Sequence, residues 1–356
     1  MKLSNVRLAI DRLDSQIVRL LNQRAKLSVE VADHKRRTNS PVFSPERESQ
    51  LFARLQRLGQ AGPLPSAALQ AIYREIISAS IALQAVQTIT YMGPEGSFTH
   101  EATKLQFGSS VRYQPVRGIA DVFREVERGR ADYGVVPIEN STEGVVNHTL
   151  DMFVDSEVNI AAEVSLRVRH NLLARSGRLA DVRRVYIHPQ TLGQCRLWLD
   201  GNLPEVELVE VSSNSKAAQL ASRTPKTAAI ASLLAAKLYG LQVLAKSIED
   251  HPDNITRFLV LGRQLPGPSG RDKTSLMLAI KDSVGVLHRI LLPFAKNRVN
   301  LTSIESRPSH KGLWNYIFFI DCLGHVTEPR IKRVMAQLRP LTVKLKVLGS
   351  YPRGEE

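Results

Sequence analysis

The segment "LLNQRAKLSVEVADHK", residues 20–35, lies in a long run of apolar residues at helical spacing. Counted from residue 6, the steps alternate between four and three, which is the pattern of one packed helical face. The apolar members of the series are Val6, Ile10, Leu13, Ile17, Leu20, Leu27 and Val31. Arg24 occupies the one position of the series where an apolar side chain is missing. This departure indicates that a polar group contacts this face of the helix.

The flanking sequence predicts three helices. Residues 5–37 form one helix of about 33 residues, roughly 50 Å long. "SPERESQLFARLQRL" predicts a second helix, with Ser44 as its N-cap and Pro45 in its first turn. "LPSAALQAIYREIISASIALQ" predicts a third. Two short helices cannot cover the apolar face of the long one, so we expect a second copy of the chain to pack against it.

Polar side chains recur on the faces where these helices should meet. Arg24 and Lys35 share a face of the first helix, about 16 Å apart along its axis, and two long side chains can close that gap around a small molecule. Arg47 lies on the apolar face of the second helix, and Ser80 and Gln84 continue that of the third. Unpaired buried cations are costly, so the set favours a site for a small anion. The alternative is one register-fixing arginine among solvated surface residues.

Arg7 lies 17 residues before Arg24, about 25 Å along the helix axis. It cannot reach a small ligand held by Arg24 of the same chain. In an antiparallel dimer it would reach the site of the partner chain.

Composition restricts the other classes of function. The 356 residues are 43% hydrophobic and 23% charged, which predicts a globular chain of two or three domains. No stretch is long and apolar enough to span a membrane, and the charged, amphipathic N-terminus does not have the pattern of a signal peptide. The two cysteines, Cys195 and Cys322, have no metal-binding or redox spacing, so we expect reduced thiols, no metal and a cytoplasmic protein.

The formal net charge of +14 raises the possibility of a nucleic-acid partner. The lysines and arginines are, however, spread along the chain, with no basic block longer than "KRR" and no interleaved aromatic residues. We therefore expect no nucleic-acid partner. The charge is interpreted as a solvated basic surface or as arginines that hold small anionic substrates.

Residues 88–263 have the sequence pattern of an α/β domain. Short β-branched runs alternate with helical stretches, which predicts sheets built on parallel strands. The runs are "VRYQPV", "YGVVPI", "RRVYIH", "VELVEV" and "TAAIA". Polar residues follow several predicted strands and open the next helix, an arrangement that predicts a two-lobed anion cleft. They are Ser97 in "GPEGSFTH", Asn140, Ser141 and Thr142 in "VPIENSTEG", and Ser213, Asn214 and Ser215 in "VSSNSKAA".

A Pro/Gly-rich stretch at 264–273 predicts a linker. Residues 274–350 then predict the order β-α-β-β-α-β, which is the ferredoxin-like pattern.

In their three helices and the polar residues on them, residues 1–87 resemble the all-helical chorismate mutase domain of the bifunctional chorismate mutase–prephenate dehydratases. The resemblance implies that the carboxylates of chorismate are held by Arg24, Arg47 and Ser80, and by Arg7 of the other subunit. It also implies that Lys35 and Gln84 face the ether oxygen and that Glu48 faces the ring hydroxyl. Ser44 departs from the family, since some members carry an acidic residue there. Holding a compact conformer and placing charge opposite the breaking ether bond suit a Claisen rearrangement, which needs no nucleophile.

"VPIENSTEG", "HPQTLGQC" and "NITRFLVL" resemble the prephenate dehydratase domain over residues 88–262. The resemblance implies that Thr256, in the triplet 256–258, assists loss of the hydroxyl, with His188 and Glu139 as supporting groups. The implied substrate-binding residues are Ser97, Asn140, Ser141, Thr142 and Arg257. Without the resemblance, His188 could equally be an ordinary histidine at a strand end.

The C-terminal part resembles an ACT regulatory domain. Its two phenylalanine-binding stretches match Gly285, Val286, Leu287 and His288, and Glu305, Ser306, Arg307 and Pro308. Many members carry alanine in place of Val286. The alternative is a purely structural end domain.

Taken together, the sequence predicts a bifunctional enzyme of phenylalanine biosynthesis without a cofactor, feedback-inhibited by L-phenylalanine. It would convert chorismate to prephenate and prephenate to phenylpyruvate, as a homodimer or a dimer of dimers. Two alternatives stay open: a dehydratase whose helical domain only dimerises, and a non-catalytic sensor of small anions.

Overall fold

The computed structural model describes residues 2–38, 40–60, 62–308 and 315–354. Its N-terminal part consists of helices α1 (Leu3–Thr38), α2 (Pro45–Gly59) and α3 (Ser66–Ala82), as predicted. Of the described residues of α1, only Ala32 is buried. Leu13, Ile17 and Leu20 on the predicted apolar face are 57%, 52% and 58% exposed. A single chain therefore leaves this face uncovered along most of its length.

The helical part packs against the central α/β part through the loop that joins α1 to α2. The ring of Phe43 is 1% exposed and lies 5.2 Å from that of Phe107 and 5.0 Å from that of Tyr133, centroid to centroid. Ser44 occupies the N-cap position of α2, but its hydroxyl makes no capping hydrogen bond and instead accepts one from Lys35. The loop residues thus connect the helices to a core in the next domain.

The central part has two lobes. The first contains β1 (Thr88–Met92), α4 (Phe98–Phe107), β2 (Arg112–Val116), α5 (Ile119–Glu127), β3 (Tyr133–Asn140), β4 (Gly144–Val145), α6 (Asn147–Asp155) and β5 (Asn159–Arg167). The second contains β6 (Asn171–Ala174), β7 (Arg184–Ile187), α7 (Pro189–Gln194), α8 (Arg196–Asn202), β8 (Glu207–Glu210), α9 (Asn214–Ala221), β9 (Thr227–Ala231), α10 (Leu233–Tyr239) and β10 (Gln242–Ala245). The chain then returns to the first lobe through β11 (Ile255–Gly262).

The expectation of parallel sheets is correct only for part of each lobe. Strand β1 pairs in parallel with β2 and β3, and β7 pairs in parallel with β8 and β9. Strand β11 lies antiparallel between β3 and β5, and β6 lies antiparallel between β9 and β10. The mixed order arises because β11 comes back from the second lobe and enters the sheet of the first in the opposite direction.

The C-terminal part has the predicted β-α-β-β-α-β order, in β12 (Asp272–Lys281), α11 (Val286–Lys296), β13 (Leu301–Pro308), β14 (Asn315–Leu323), α12 (Pro329–Leu338) and β15 (Lys344–Pro352). Its strands continue the sheet of the first lobe, because β15 lies beside β5. Met277, Phe319 and Tyr351 belong to the same buried core as Ile160 and Leu259. The C-terminal module and the first lobe therefore share one hydrophobic core.

Across the residues that the structure describes, no helix combines the length and the hydropathy needed to cross a membrane.

Candidate active sites

The first candidate site lies where α1 meets α3. The guanidinium of Arg24 donates a hydrogen bond from Nη1 to Oγ of Ser80, which is 8% exposed. The Ser80 hydroxyl in turn donates to the carbonyl of Ile76, at 2.6 Å. Gln84 lies one turn further along, with Nε2 3.5 Å from the carbonyl of Ser80. Its Oε1 is buried and makes no hydrogen bond to any described residue. The arginine in the apolar series thus contacts Ser80 of α3, and Gln84 lies just beyond the end of that helix.

Lys35 lies in the last turn of α1, and its side chain reaches the residues that precede α2. Its Nζ donates to the carbonyl of Val42 at 2.6 Å and to Oγ of Ser44 at 3.3 Å. Burial lowers the pKa of Lys35 because it disfavours the charged form, while the carboxylates of Glu46 and Glu48 act in the opposite direction. An ammonium in this setting is partly desolvated and can stabilise negative charge on a ligand more strongly than one in water.

Glu48 is 8% exposed and forms an ion pair with Arg74, with 2.5 Å between its Oε2 and Nη1 of the arginine. Burial raises the pKa of Glu48, and Arg74 opposes that shift. The other oxygen, Oε1, is buried without a hydrogen-bond partner among the described residues. Arg74 was not predicted as a site residue, and no sequence pattern distinguished it from the other charged residues of α3. The pair brings Glu48 into the polar interior of the helical domain.

Arg7 and Arg47 stand apart from this group. Both side chains are exposed in the single chain. The structure therefore brings together Arg24, Ser80 and Gln84, and places Lys35 near Glu48, but it does not bring Arg7 or Arg47 to them.

The second candidate site lies between the two lobes of the α/β part. Thr256 is on β11 and is 9% exposed, opposite Asn140 at the end of β3. Nδ2 of Asn140 lies 2.7 Å from Oγ1 of Thr256 and 2.7 Å from Oδ1 of Asn254. Nδ2 of Asn254 reaches Oε1 of Gln194 at 3.1 Å, and Gln194 belongs to the second lobe. A chain of amide side chains therefore connects the lobes and ends at the Thr256 hydroxyl.

The orientation of this network follows from its hydrogen-bond partners. Oδ1 of Asn140 accepts the backbone N–H groups of Thr142 at 2.9 Å and Glu143 at 3.0 Å, so its Nδ2 must face Thr256 and Asn254. Both hydrogens of that Nδ2 are then directed at oxygens. Thr256 accepts one of them, which leaves its own hydroxyl hydrogen for another acceptor.

His170 forms the far end of the network. Its Nε2 lies 2.8 Å from Oε1 of Gln194, an oxygen that also accepts from Asn254, so the histidine must donate there. Burial lowers the pKa of His170 and favours the neutral ring. Nε2 of Gln194 donates to Glu143 at 3.2 Å. These contacts fix the Gln194 amide, which sequence reasoning missed although the residue lies within the quoted "HPQTLGQC".

The remaining strand-end residues support the loops of the cleft. Ser141 Oγ accepts the N–H of Ile255 at 3.0 Å and donates to the carbonyl of Asp253 at 3.2 Å, which joins the ends of β3 and β11. Thr142 is exposed and contributes the backbone N–H described above. His188 is half-buried at the N-cap of α7, without a side-chain capping bond. The structure does not connect His188 to the network around Thr256.

Ser97 caps α4 by accepting the N–H of His100 at 3.2 Å. The imidazole of His100 stacks on Tyr91, and its Nδ1 accepts the N–H of Gly96 at 3.1 Å. Burial lowers the pKa of His100 to about 4, with a smaller contribution from Lys104, so the ring is neutral and can accept at Nδ1. Ser232 of the second lobe donates to the carbonyl of Gly96 at 3.1 Å. Ser97 therefore lies in a loop that contacts both lobes.

Arg257 and Glu139 lie on the opposite face of the sheet from Thr256 and Asn140, because side chains alternate along a strand. Nη1 of Arg257 is 3.2 Å from Oε2 of Glu139, and Nε is 2.9 Å from Oε2 of Glu163. Burial acts to lower the pKa of Arg257, but the nearby acids, Asp321 first among them, raise it above its ordinary value. The structure therefore places both predicted site residues in an ion-pair cluster and not with Thr256.

The residues predicted to bind phenylalanine fall on two neighbouring elements of the C-terminal module. Gly285, with φ of +75°, is the N-cap of α11, and the adjoining Leu287 and His288 are exposed. The second stretch ends β13, the edge strand of the ten-stranded sheet, where Glu305 is half-buried and Ser306 is exposed. Arg307 pairs with Asp151 of α6 at 2.9 Å. The two stretches are thus partly exposed, and they lie apart from the Thr256 network.

The three parts also match three known families in the same order. The profile described as chorismate mutase type II matches residues 6–85, that of prephenate dehydratase matches 89–265, and that of the ACT domain matches 274–340. Together with the two polar sites, these matches define a multidomain enzyme with an isomerase part, a carbon–oxygen lyase part and a regulatory module.

Full-length relatives specify the family. A bifunctional chorismate mutase/prephenate dehydratase of Aquifex aeolicus is 46% identical over 99% of this chain and 98% of its own length. The chain belongs to the family of bifunctional chorismate mutase/prephenate dehydratases, and it is an enzyme with both activities.

Two solved structures resemble this chain over three quarters of its length. Prephenate dehydratase from Arthrobacter aurescens, in complex with L-Phe, is 38% identical, with a TM-score of 0.69 over 75% of this chain and 90% of that one. GqqA, described as a novel type of quorum quenching acylase, is 28% identical, with a TM-score of 0.70 over 75% of this chain and 98% of that one. Since the shared fold accompanies different described activities, the fold alone does not define the chemistry of this chain.

Proposed function

We propose that Thr256 donates a hydrogen bond to the hydroxyl that leaves prephenate. The observation that carries this proposal is the orientation of Asn140, whose amide donates to Thr256 and so leaves the threonine hydrogen for the substrate. Asn254, Gln194 and His170 support that orientation. The residues that the sequence predicted for the same cleft, Ser97, Ser141 and Thr142, shape its loops.

The reaction needs no base in the protein. The bond from the ring to the carboxylate breaks, and its electron pair moves into the ring as carbon dioxide leaves. The ring becomes aromatic as the carbon–oxygen bond breaks, and the hydroxide departs with the bonding pair. A hydroxyl donor at that oxygen stabilises the charge that develops as the bond breaks. The Thr256 hydroxyl suits this role because it is nearly buried and accepts a hydrogen bond from Asn140, so its own hydrogen can be donated to the substrate.

For the mutase reaction we propose that Arg24 and Ser80 hold one carboxylate of chorismate. Lys35 and Gln84 then face the ether oxygen, where charge develops as the bond breaks. The Nε2 of Gln84, which lies 3.5 Å from the Ser80 carbonyl, can donate to the ether oxygen, and the partly desolvated ammonium of Lys35 can do the same. Glu48, held by Arg74, faces the ring hydroxyl, and Arg47 closes the site from α2 when substrate is bound.

We propose that the enzyme is a homodimer or a dimer of dimers in the cytoplasm. The uncovered apolar face of α1 supports a second copy as its partner, since an exposed stripe of this length is otherwise unfavourable in water. Arg7 of one chain would then complete the site of the other. Cys195 and Cys322 are buried and unpaired, which fits a reducing compartment. For the domain boundaries we propose 1–87, 88–263 and 274–350, with a linker at 264–273 whose last two residues, Asp272 and Lys273, already belong to β12 of the C-terminal module.

A shared mutase site predicts complementation between inactive subunits. Arg7→Ala and Arg24→Ala chains are each expected to lack mutase activity. Mixed under conditions that exchange subunits, they should recover about one quarter of the parental activity, because half of the dimers are mixed and each mixed dimer has one complete site. The measurement is chorismate loss before and after exchange, with exchange verified by a mass tag on one chain. Verified exchange without any recovery would mean that each site is built from one chain.

We further propose that L-phenylalanine binds the C-terminal module through Gly285, Val286, Leu287 and His288, and through Glu305, Ser306, Arg307 and Pro308. The N-terminus of α11 offers backbone N–H groups to the amino-acid carboxylate, and Glu305 can attract the ammonium group. Because β13 is an edge strand, a second module can approach there, and the ligand would lie between two copies.

A coupled assay tests both reactions and the regulation in one experiment. The full chain is expected to convert chorismate to phenylpyruvate. Millimolar L-phenylalanine should slow the appearance of phenylpyruvate without slowing chorismate loss, so that prephenate accumulates. A typical coupling of about 1–3 kcal/mol corresponds to a change in affinity of roughly 5- to 150-fold.

The outcomes separate the alternatives. A chain whose helices only dimerise would convert added prephenate but not chorismate, and a non-catalytic sensor would convert neither. Phenylpyruvate formation that is unmoved by phenylalanine would refute the regulatory site. The regulatory site is also tested by Glu305→Gln, a variant that keeps the side-chain shape and removes the charge. It should reduce the inhibition by phenylalanine. A truncated chain is less suitable, because removing β12–β15 would expose the core shared with the first lobe.

A further inference from the structure

The side chain of Arg257, the residue after the proposed hydrogen-bond donor, contacts carboxylates on three other strands. The Arg257 guanidinium contacts Glu139 of β3 and Glu163 of β5, and its Nη2 contacts Oδ2 of Asp321 on β14. Asp321 belongs to the C-terminal module, 64 residues further along the chain. The ACT-like module therefore supplies a carboxylate to the neighbour of Thr256.

Asp321 is itself held in place. Its Oδ1 accepts a hydrogen bond from Oγ of Ser275 at 2.6 Å, and that hydroxyl lies 2.8 Å from the hydroxyl of Tyr351. Glu163 is also shared with the module, since Nζ of Lys273 lies 2.8 Å from its Oε2. The carboxylate that faces Arg257 is thus a fixed part of the module and not a mobile surface charge, since its side chain is 13% exposed.

The backbone explains why this position needs an anchor. Arg257 is paired with Glu139, but the next residue, Phe258, is paired with Pro137, so Ile138 is an extra residue in β3. A bulge of this kind locally disrupts the ladder of backbone hydrogen bonds. It lies next to Asn140 and Thr256, whose contact sets the direction of the threonine hydrogen. The ion pair between Arg257 and Glu139 therefore joins β11 to β3 at the point where the bulge disrupts their backbone pairing.

We propose that Asp321 is a positioning residue for the dehydration, which through Arg257 holds Thr256 against Asn140. The proposal rests on the donor role of Thr256 and adds that a residue of the C-terminal module affects the dehydration rate by acting through Arg257. It also changes the role of Arg257, which the sequence predicted to bind substrate.

The test is Asp321→Asn in the full chain, assayed with prephenate. Asparagine keeps the shape and an acceptor for Ser275, but it places an N–H donor or an uncharged oxygen against the guanidinium. We expect kcat to fall about 10- to 100-fold, because small displacements of a reacting group are costly. KM should change less than about threefold, because the lost interaction acts in the transition state. Asp321→Glu restores the charge and should recover part of kcat.

Asp151→Asn is the matched control. It removes the carboxylate partner of Arg307, another ion pair between the module and the first lobe, with the same chemical change. We expect parental dehydratase kcat and KM for this variant without phenylalanine, and melting temperatures of both variants should be compared. If Asp321→Asn does not fold, the positioning role is tested with Ser275→Ala, which removes only the hydroxyl that supports Asp321. Its kcat should fall about threefold at constant KM.

Three results would overturn the proposal. The first is parental kcat in Asp321→Asn, or in Ser275→Ala where the first variant does not fold. The second is an equal loss in Asp151→Asn, which would reflect general loosening of the interface. The third is a rise in KM at unchanged kcat, which would return Arg257 to substrate binding. The donor role of Thr256 is tested separately by its own variant, so failure of that role is distinguishable from failure of the Asp321 link.

Discussion

Thr256→Val is expected to lower the dehydration rate by about 10²- to 10⁴-fold, the range of a positioned proton donor. The same chain should still rearrange chorismate at the parental rate, so that prephenate accumulates. Valine matches threonine in shape and in its preference for a strand, and it removes only the hydroxyl. The substitution deletes the donor to the leaving hydroxide and leaves the Nδ2 of Asn140 without one of its two acceptors. The measurement is phenylpyruvate formed from added prephenate.

Two further variants test whether activity needs only the Thr256 hydroxyl or also the donation from Asn140 to it. Thr256→Ser keeps the hydroxyl and should keep most of the activity. Asn140→Asp keeps the side-chain shape but has no N–H, so Thr256 would donate to the carboxylate and its hydrogen would no longer be available to the substrate. We expect a large loss there as well. Undiminished phenylpyruvate formation by Thr256→Val would remove this residue from the mechanism.

How much of this site the sequence could predict is clear from Gln194 and Asn254. Both lie inside stretches that resemble the family, yet neither was named, because a single amide among other polar residues has no pattern of its own. Their role depends on contact between residues far apart in sequence, such as Asn140 and Asn254, which are 114 residues apart. His170 had no signal at all. Such networks form only after the two lobes have met.

Arg257 shows a different limit. Its place beside Thr256 in the chain suggested a shared ligand, but consecutive residues of a strand face opposite sides. The sequence could not decide which side was the cleft, because β11 is largely buried on both faces. The carboxylates that bind Arg257 come from three other strands. The sequence also could not predict the direction of β11, since its apolar residues are equally compatible with parallel and antiparallel pairing.

The helical domain was the most predictable part. Apolar spacing predicted the long helix to within two residues of the observed Leu3–Thr38 at either end. The same spacing revealed Arg24 as an exception, because an arginine in an apolar series needs no tertiary information to be noticed. Its contact with Ser80, 56 residues later, does need that information. The Ser44 hydroxyl was predicted to cap α2, but it accepts a hydrogen bond from Lys35 instead. Which of the two bonds forms depends on the path of the loop between α1 and α2.

Arg24→Ala is expected to abolish most of the mutase activity while added prephenate is still converted. Truncating one partner of a buried charged contact costs roughly 2–5 kcal/mol, which corresponds to about 30- to 5,000-fold in kcat/KM. The loss arises because the substrate carboxylate would remain desolvated without its guanidinium. It should be larger than the loss in Ser80→Ala, which removes the hydroxyl that accepts from Arg24 but leaves the charge in place. The measurement is chorismate loss under initial-rate conditions.

Arg19→Ala is the control that separates this role from a general effect of charge. Arg19 is exposed on the same helix and, five residues away, points about 140° away from Arg24. It should keep the parental mutase rate, although both variants lower the net charge by the same amount. If both variants lost activity equally, the field of the basic helix would matter more than a specific contact. If Arg24→Ala rearranged chorismate at the parental rate, the arginine in the apolar series would be a structural residue that fixes the register of the helices, and the mutase site would have to lie elsewhere.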